Sequence, residues 1–399
     1  MKLSSNAKNA IMIGVMCSVS YLAVYIARNV LGVVTPTLIK DNIFSEEFLG
    51  TLSSLYFIFY AVGQLINGFL GQKIKASWMI SAGLLLAGVS NYVFSKVVAS
   101  LTASMVAYAM TGFFLAMIYA PMTRLVSENT EPIHAVRCSV GYTFASFFGS
   151  PVAGILAAAL AWQSVFILSS AMLALMAVLC FVLFFILERK KVIKYNVYNH
   201  EKAPIKDGVK VLIKHSIIKF ALVSMITGVV RTAVVFWLPT YFQQYLGYSE
   251  SQASLVFSIS TFVMATTTFI TIFIYERLKR NMDKTLLIMF ITSFIFFLLV
   301  FLLKHPILNI IFIVLAVMAS NGAATMIWSV YCPSLRDTGM VSGATGFLDC
   351  LSYVGAAISS AVFGNAVNTI GWGNLILIWL GLMVVGIIVA LPYKAFKKS

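Results

Sequence analysis

Residues 21–37 read YLAVYIARNVLGVVTPT, an apolar run with one guanidinium, Arg28, at its middle. Residues 229–242 read VVRTAVVFWLPTYF, again apolar and again holding one arginine, Arg231. Arg28 precedes Pro36-Thr37 by the interval at which Arg231 precedes Pro239-Thr240. Downstream, SEEFLG from Ser45 answers SESQAS from Ser249, each reading as an N-cap serine with acid in the first helical turn. The basic GQKIK around Lys73 then answers YERLK around Arg277 at nearly the same offset. The chain therefore carries an internal repeat whose first element is an apolar helix with a buried arginine.

The composition around the repeat is that of a membrane protein. Of 399 residues, 60% are hydrophobic and 10% charged, and the mean hydropathy is +0.95. Soluble globular domains lie far from these values. Apolar segments of about 20 residues, the length that crosses a bilayer as a helix, recur throughout. Twelve are expected, at 11–35, 48–72, 78–96, 99–123, 137–160, 163–187, 216–243, 252–275, 285–303, 307–330, 338–364 and 371–392. The short alternating segments of a membrane barrel are absent, so the fold class is all-α. The first run is too long for a secretory signal and reads as a span. Residues 188–215, ERKKVIKYNVYNHEKAPIKDGVKVLIKH, form the one long polar interruption. The expected organisation is a six-helix bundle over 1–187, a cytoplasmic linker over 188–215 and a second bundle over 216–399, related by pseudo-symmetry. That architecture belongs to transporters that bind substrate near the midplane.

The net charge of +15 is distributed as a topology signal. With the N-terminus inside, Lys73, Lys75, Arg124, Arg137, the cluster from Arg189 to Lys219, Arg277 to Lys284, Arg336 and Lys394 to Lys398 all fall on one side, leaving Lys40, Lys96 and Lys304 on the other. The positive-inside rule places both termini in the cytoplasm and removes nucleic acid as a partner. Cys17, Cys138, Cys180, Cys332 and Cys350 fall within or beside apolar spans and read as packing residues. His134, His200, His215 and His305 belong to loops or their edges. No metal motif and no phosphate-cradling loop is present. The chain is thus expected to be no enzyme, to need no cofactor or metal and not to hydrolyse ATP.

Three charges remain deep in spans: Arg28, Arg231 and Asp349. Each lies twelve residues from a charged residue at a span end, Lys40, Lys219 and Asp337 respectively. At about 1.5 Å per residue this is roughly 18 Å, near the bilayer midplane. A charge there costs at least roughly 2.5–3.5 kcal/mol, which makes each a functional hypothesis. The structural alternative is a permanent Arg–Asp pair holding helices in register. One carboxylate cannot neutralise two guanidiniums, so an anionic substrate is expected to supply the balance. Arginine's planar fork suits an oxyanion. Tyr21 and Tyr25 lie at i−7 and i−3 from Arg28, on one helical face, and are expected to line the site. Asp349 is a candidate proton-coupling or gating residue, with a static salt bridge as its alternative. Gln64, Asn67, Trp237 and Asn321 are candidate cavity-lining residues. Gly63, Gly68, Gly71, Gly343, Gly346 and Gly355 fit close helix approach.

The second segment ends in GFLGQKIK at 68–75, which resembles the loop between the second and third helices of the major facilitator superfamily, with Gln72 where an acid is usual. The segments YLAVYIAR at 21–28, GFFLAMIYAPMTR at 112–124, VVRTAVVFWLPTYF at 229–242 and SGATGFLDCLSYVGA at 342–356 resemble those of the organophosphate:phosphate antiporters within it. These are the bacterial glycerol-3-phosphate and hexose-6-phosphate transporters. The resemblance implies that Arg28 and Arg231 hold phosphate, that Tyr21 and Tyr25 line the site, and that a phosphate monoester is exchanged for inorganic phosphate. Three departures bear on the substrate. Gln64 stands where glycerol-3-phosphate transporters carry a lysine, Ala145 where they carry a histidine, and Asp349 where they carry a small residue.

The expected protein is a twelve-helix secondary transporter of a small oxyanion, a monomer in the lipid bilayer of a bacterial plasma membrane. The alternatives are a proton-coupled symporter of an organic carboxylate such as a sugar acid, with the proton bound at Asp349, and a transporter-like receptor for a sugar phosphate.

Overall fold

The computed structural model describes residues 5–195 and 205–392. Lys2, His200 and the Lys394 to Lys398 cluster lie outside them. Among the described residues the chain is helical, and eleven helices are long and apolar enough to cross a membrane. In chain order these are built from α1 (Ser5–Lys40), α2 (Glu46–Lys73), α3 (Ala76–Lys96), α4 (Leu101–Leu115) with α5 (Tyr119–Asn129), α6 (Pro132–Ser146) with α7 (Gly149–Ala159), and α8 (Trp162–Arg189). After α9 (Ile205–Lys214) come α10 (Ile217–Gly228), α11 (Val235–Gln244), α12 (Glu250–Met264) with α13 (Thr267–Arg277), α14 (Met282–Leu302), α15 (Pro306–Thr325), the short α16 (Cys332–Ser334) and α17 (Val341–Ala390). Gly371, at φ 74°, breaks α17 into the last two spans. The expected seventh span, 216–243, is helical too, but a π-helical turn at Val229–Val234 divides it into α10 and α11.

Local chemistry explains the element starts. Ser45 caps α2 by accepting from the Phe48 amide at 3.2 Å, and Ser249 forms a capping box with Gln252 on α12. The two repeat-related serines thus do the same work.

The described chain divides into two compact units. The first comprises Met1–His215 and Tyr331–Cys350, the second Ser216–Val330 and Leu351–Ser399. In the first unit α1 packs on α6, α7 and α8, α2 on α4, and α3 on α4 and α8, around the fully buried Tyr56, Tyr142, Phe94 and Phe166. In the second, α14 and α13 pack on α15, around the buried Phe290, Phe297 and Trp379. Large apolar side chains such as Trp78, Leu175, Phe262 and Ile358 remain exposed, the pattern of helices solvated by lipid.

Glycine brings Tyr331–Cys350 into the first unit. A Cβ on Gly68 of α2 would lie 2.8 Å from the Gly346 Cα of α17, so the two backbones touch where neither has a side chain. Gly71 faces Ser342, and Gly346 faces the Gln64 carbonyl, which gives α2 and α17 an antiparallel register. Gly63 approaches Ala116 and Phe113, and Gly355 approaches Met225 within the second unit. The start of the linker is held down as well: the Tyr195 hydroxyl donates to Glu188 at 3.1 Å and accepts from the Ser77 amide at 3.1 Å. Burial pushes this phenol up to about 12.

Candidate functional site

The face of α1 expected from helical spacing is present. Tyr21 is buried, and Tyr25 and Arg28 are half-buried. The Arg28 Cζ lies 5.0 Å from the ring centroid of Tyr60, 5.2 Å from that of Tyr25 and 5.6 Å from that of Phe57. Three rings from α1 and α2 therefore frame the guanidinium. Each such contact contributes about 0.5–2 kcal/mol, and because it uses the ring face it orients the cation without engaging its N–H fork. Tyr21 extends the aromatic wall, 5.0 Å from Tyr25, stacked at 5.2 Å on Tyr119 and 6.0 Å from Tyr142.

Asp349 is 4% exposed and lies within electrostatic reach of Tyr21. The helix register agrees with this placement. Gly346 lies between the Gln64 carbonyl and the Gly68 Cα, so Asp349, three residues on, falls at the level of the α2 turn that holds Tyr60 and Gln64. The first unit thus assembles Tyr21, Tyr25, Arg28, Phe57 and Tyr60, and Asp349 belongs to the same unit. Gln64, one turn beyond Tyr60, is fully buried, and neither end of its amide has a hydrogen-bond partner among the described residues. Asn67 belongs elsewhere: it is buried and its amide donates to the Phe113 carbonyl at 3.4 Å, tying α2 to α4.

Arg231, Trp237 and Asn321 belong to the second unit. Arg231 is half-buried and sits inside the π-helical turn, which packs against α15. A π turn inserts an extra residue into a helix and re-aims the side chains it carries, and such turns concentrate at functional sites. Trp237 is half-buried on α11. Asn321, on α15, is 7% exposed, and its Oδ1 has no partner among the described residues.

Two features escape the sequence reading. Phe57 and Tyr60 are absent from it, although Phe57, Tyr60 and Gln64 recur at helical spacing and mark one face of α2. A cation buried in protein outside those three deep charges also escapes it. Arg124, counted above among the cytoplasmic-side charges, is 4% exposed; its Nε donates to Glu128 at 2.9 Å and its terminal nitrogen to the Gly71 and Gln72 carbonyls at 2.6 and 2.9 Å. A cation at the carbonyl end of α2 satisfies groups that the helix itself leaves open, which is why the charge tolerates burial. The five cysteines are free thiols, and among the described residues no group of three metal-ligating side chains forms.

Comparison with known proteins agrees with this architecture. FucP, described as a Major Facilitator Superfamily transporter in the outward conformation and, in a second structure, as the fucose:proton symporter of E. coli, superposes with a TM-score of 0.78 at 14% identity, covering 96% of this chain and 98% of that one, a likeness of fold. A probable hexose phosphate transport protein of Chlamydia trachomatis is 24% identical over 108 residues, 27% of this chain and 24% of that protein. The membrane sensor protein UhpC of Escherichia coli K12 is 26% identical over 94 residues, 24% of this chain and 21% of that protein. The matched stretches thus span about a quarter or less of these curated relatives. The family model of the Major Facilitator Superfamily, by contrast, matches residues 17–354, and this chain belongs to that superfamily of membrane transporters.

Proposed function

We propose that this transporter exchanges a phosphate ester for inorganic phosphate by alternating access, with Arg28 and Arg231 as the anion-binding pair. The observation that carries the reading is the aromatic frame around Arg28, which sets a guanidinium among three rings in a membrane-spanning helix. A repeat-related arginine stands at the matching place in the second half of the chain. Guanidinium forks bind phosphate oxygens in pairs, and two of them balance a dianion. The similarity to a hexose phosphate transport protein supports a phosphate ester over other oxyanions. Tyr21 and Tyr25 wall the site, the six-helix halves rock about the bound anion, and both chain termini face the cytoplasm of a bacterial cell.

The test is uptake of labelled phosphate into proteoliposomes loaded with unlabelled phosphate, without a pH gradient. Saturable exchange inhibited by sugar phosphates is expected. Uptake of a carboxylate only under an inward proton gradient overturns the reading in favour of symport. A second reading, a sugar-phosphate sensor, draws on the similarity to a membrane sensor protein. Tight binding of the ester without flux establishes it instead.

A further inference from the structure

We propose that the first unit carries a site for an anionic phospholipid where α3 and α8 meet, at the end from which the linker leaves. Arg189 and Lys190 hold the lipid phosphate, and Trp78, Phe181 and Phe185 hold the acyl chain beneath it. The proposal needs the chain to span a bilayer and is independent of what it transports.

The aromatic part is a shelf on the lipid-facing surface. α3 and α8 run antiparallel, since Ser77 meets Glu188 and Asn91 meets Ser169. That arrangement sets the Trp78 ring edge-on to Phe181 at 5.9 Å between centroids, and Phe181 stacks on Phe185 at 6.4 Å. All three rings are exposed. Phe181, Phe185 and Arg189 stand at i, i+4 and i+8, one line along α8, and the Arg189 Cζ lies 5.1 Å from the Phe185 ring centroid. The guanidinium is thus placed, exposed, at the polar end of the shelf with its stem along a ring. Trp78, in the first turn of α3, stands where an indole marks the level of the headgroups.

Charge selects the lipid. Arg189, Lys190, Lys191 and Lys194 are all exposed, and the acid beside them, Glu188, is spent internally. Its carboxylate accepts from the Ser77 hydroxyl at 2.6 Å and the Tyr195 hydroxyl at 3.1 Å and lies 3.5 Å from the Lys75 Nζ. Paired with Lys75, it leaves the field of the other cations uncancelled. Backbone bonds fix those cations in place. The Lys191 amide donates to the Glu188 carbonyl at 3.0 Å and the Val192 amide to the Leu187 carbonyl at 2.9 Å, the two bonds of a Schellman turn, with Lys191 at φ 56°. That left-handed position favours glycine, and a lysine there accepts the strain while setting a cation at the surface. The Lys194 amide donates to the Asn129 side chain at 2.6 Å, which pins the run to α5 as well. Fixed cations at a helix end, above exposed rings that face lipid, match an anionic headgroup above its acyl chains. A zwitterionic headgroup brings no net charge to answer them.

The test reads Trp78 fluorescence in the full chain reconstituted in phosphatidylcholine vesicles, each signal taken as the difference from the matching Trp78→Phe protein. The quencher is phosphatidylglycerol or phosphatidylcholine with chains brominated near the headgroup. In the native protein, half-maximal quenching is expected at a mole fraction of phosphatidylglycerol about five- to tenfold below that of phosphatidylcholine. In Arg189→Gln/Lys190→Gln/Lys191→Gln the two lipids quench alike, whereas Arg189→Lys, which keeps the charge, keeps the preference. Arg277→Gln/Lys279→Gln/Arg280→Gln removes the same net charge from the second unit and leaves the preference intact. Because each value is a ratio within one variant, a loss of yield does not mimic the effect. Equal quenching by the two lipids in the native protein overturns the proposal. A preference that survives the first triple substitution overturns it too, as does one lost equally in both triple variants, which makes it a property of net charge rather than of this site. None of these readings depends on phosphate exchange, so the lipid site and the transport reading fail separately.

Discussion

Arg28 shows how a single buried charge acquires a task. Tyr25, Phe57 and Tyr60 set its guanidinium within 5.0–5.6 Å of three ring centroids, which limits its rotamers. Tyr60→Phe keeps the ring and is expected to leave phosphate affinity within about twofold, whereas Tyr60→Leu loosens the cation and weakens it up to about tenfold, read from the KM for exchange. Arg231→Lys keeps the charge but loses the planar fork. Transport by that variant is expected to drop by about a hundredfold while its thermal unfolding is unchanged, and full transport would remove the clamp. Arg124 serves the fold instead. Arg124→Ala leaves Glu128, whose side chain is 1% exposed, without its 2.9 Å partner and opens the carbonyl end of α2. A loss of about 3–5 kcal/mol is expected, seen as a lower Tm in detergent and poor expression.

Helices meet in this protein where glycine lets them. The Gly68–Gly346 approach leaves no space for a Cβ, and Gly71 and Gly343 continue the seam against Ser342 and Gln72. Gly68→Val forces α2 and α17 apart at the level of a full side chain, an overpacking of at least about 1–3 kcal/mol. The same seam sets the register of Asp349 against the α2 turn that holds Tyr60 and Gln64. The expected result is therefore loss of exchange with helical content retained by circular dichroism; native exchange in Gly68→Val would show that the seam does not position Asp349. The π turn around Arg231 works at the same scale, since one inserted residue redirects the arginine without breaking the run from Ile217 to Gln244.

At the scale of the molecule, the internal repeat predicts how the arginines combine. If Arg28 and Arg231 bind one anion, either lysine substitution already removes the productive complex. The double variant Arg28→Lys/Arg231→Lys is then expected to be about as impaired as the worse single variant. Fully multiplicative losses in exchange rate would mean that the two act on separate ligands or separate steps.

Hydropathy and span length determine an all-helical membrane fold, because lipid leaves the backbone only helices or closed barrels, and continuous apolar runs of about 20 residues fit the helix. The repeated interval from Arg28 to Pro36 and from Arg231 to Pro239 marks the two halves and their arginines, and the period of the helix puts Tyr21, Tyr25 and Arg28 on one face. These features are legible in the sequence by itself because they depend on neighbours in the chain. What the tertiary structure alone decided depends on residues far apart in it: Phe57 and Tyr60 framing Arg28, Arg124 buried against the carbonyls of Gly71 and Gln72, Asn67 spent on a helix contact, and the register of α17 on α2 set by glycines on both helices. Hydropathy does not register which helix a face meets, and that choice is made by side-chain volume, where the absence of a single Cβ lets two backbones touch.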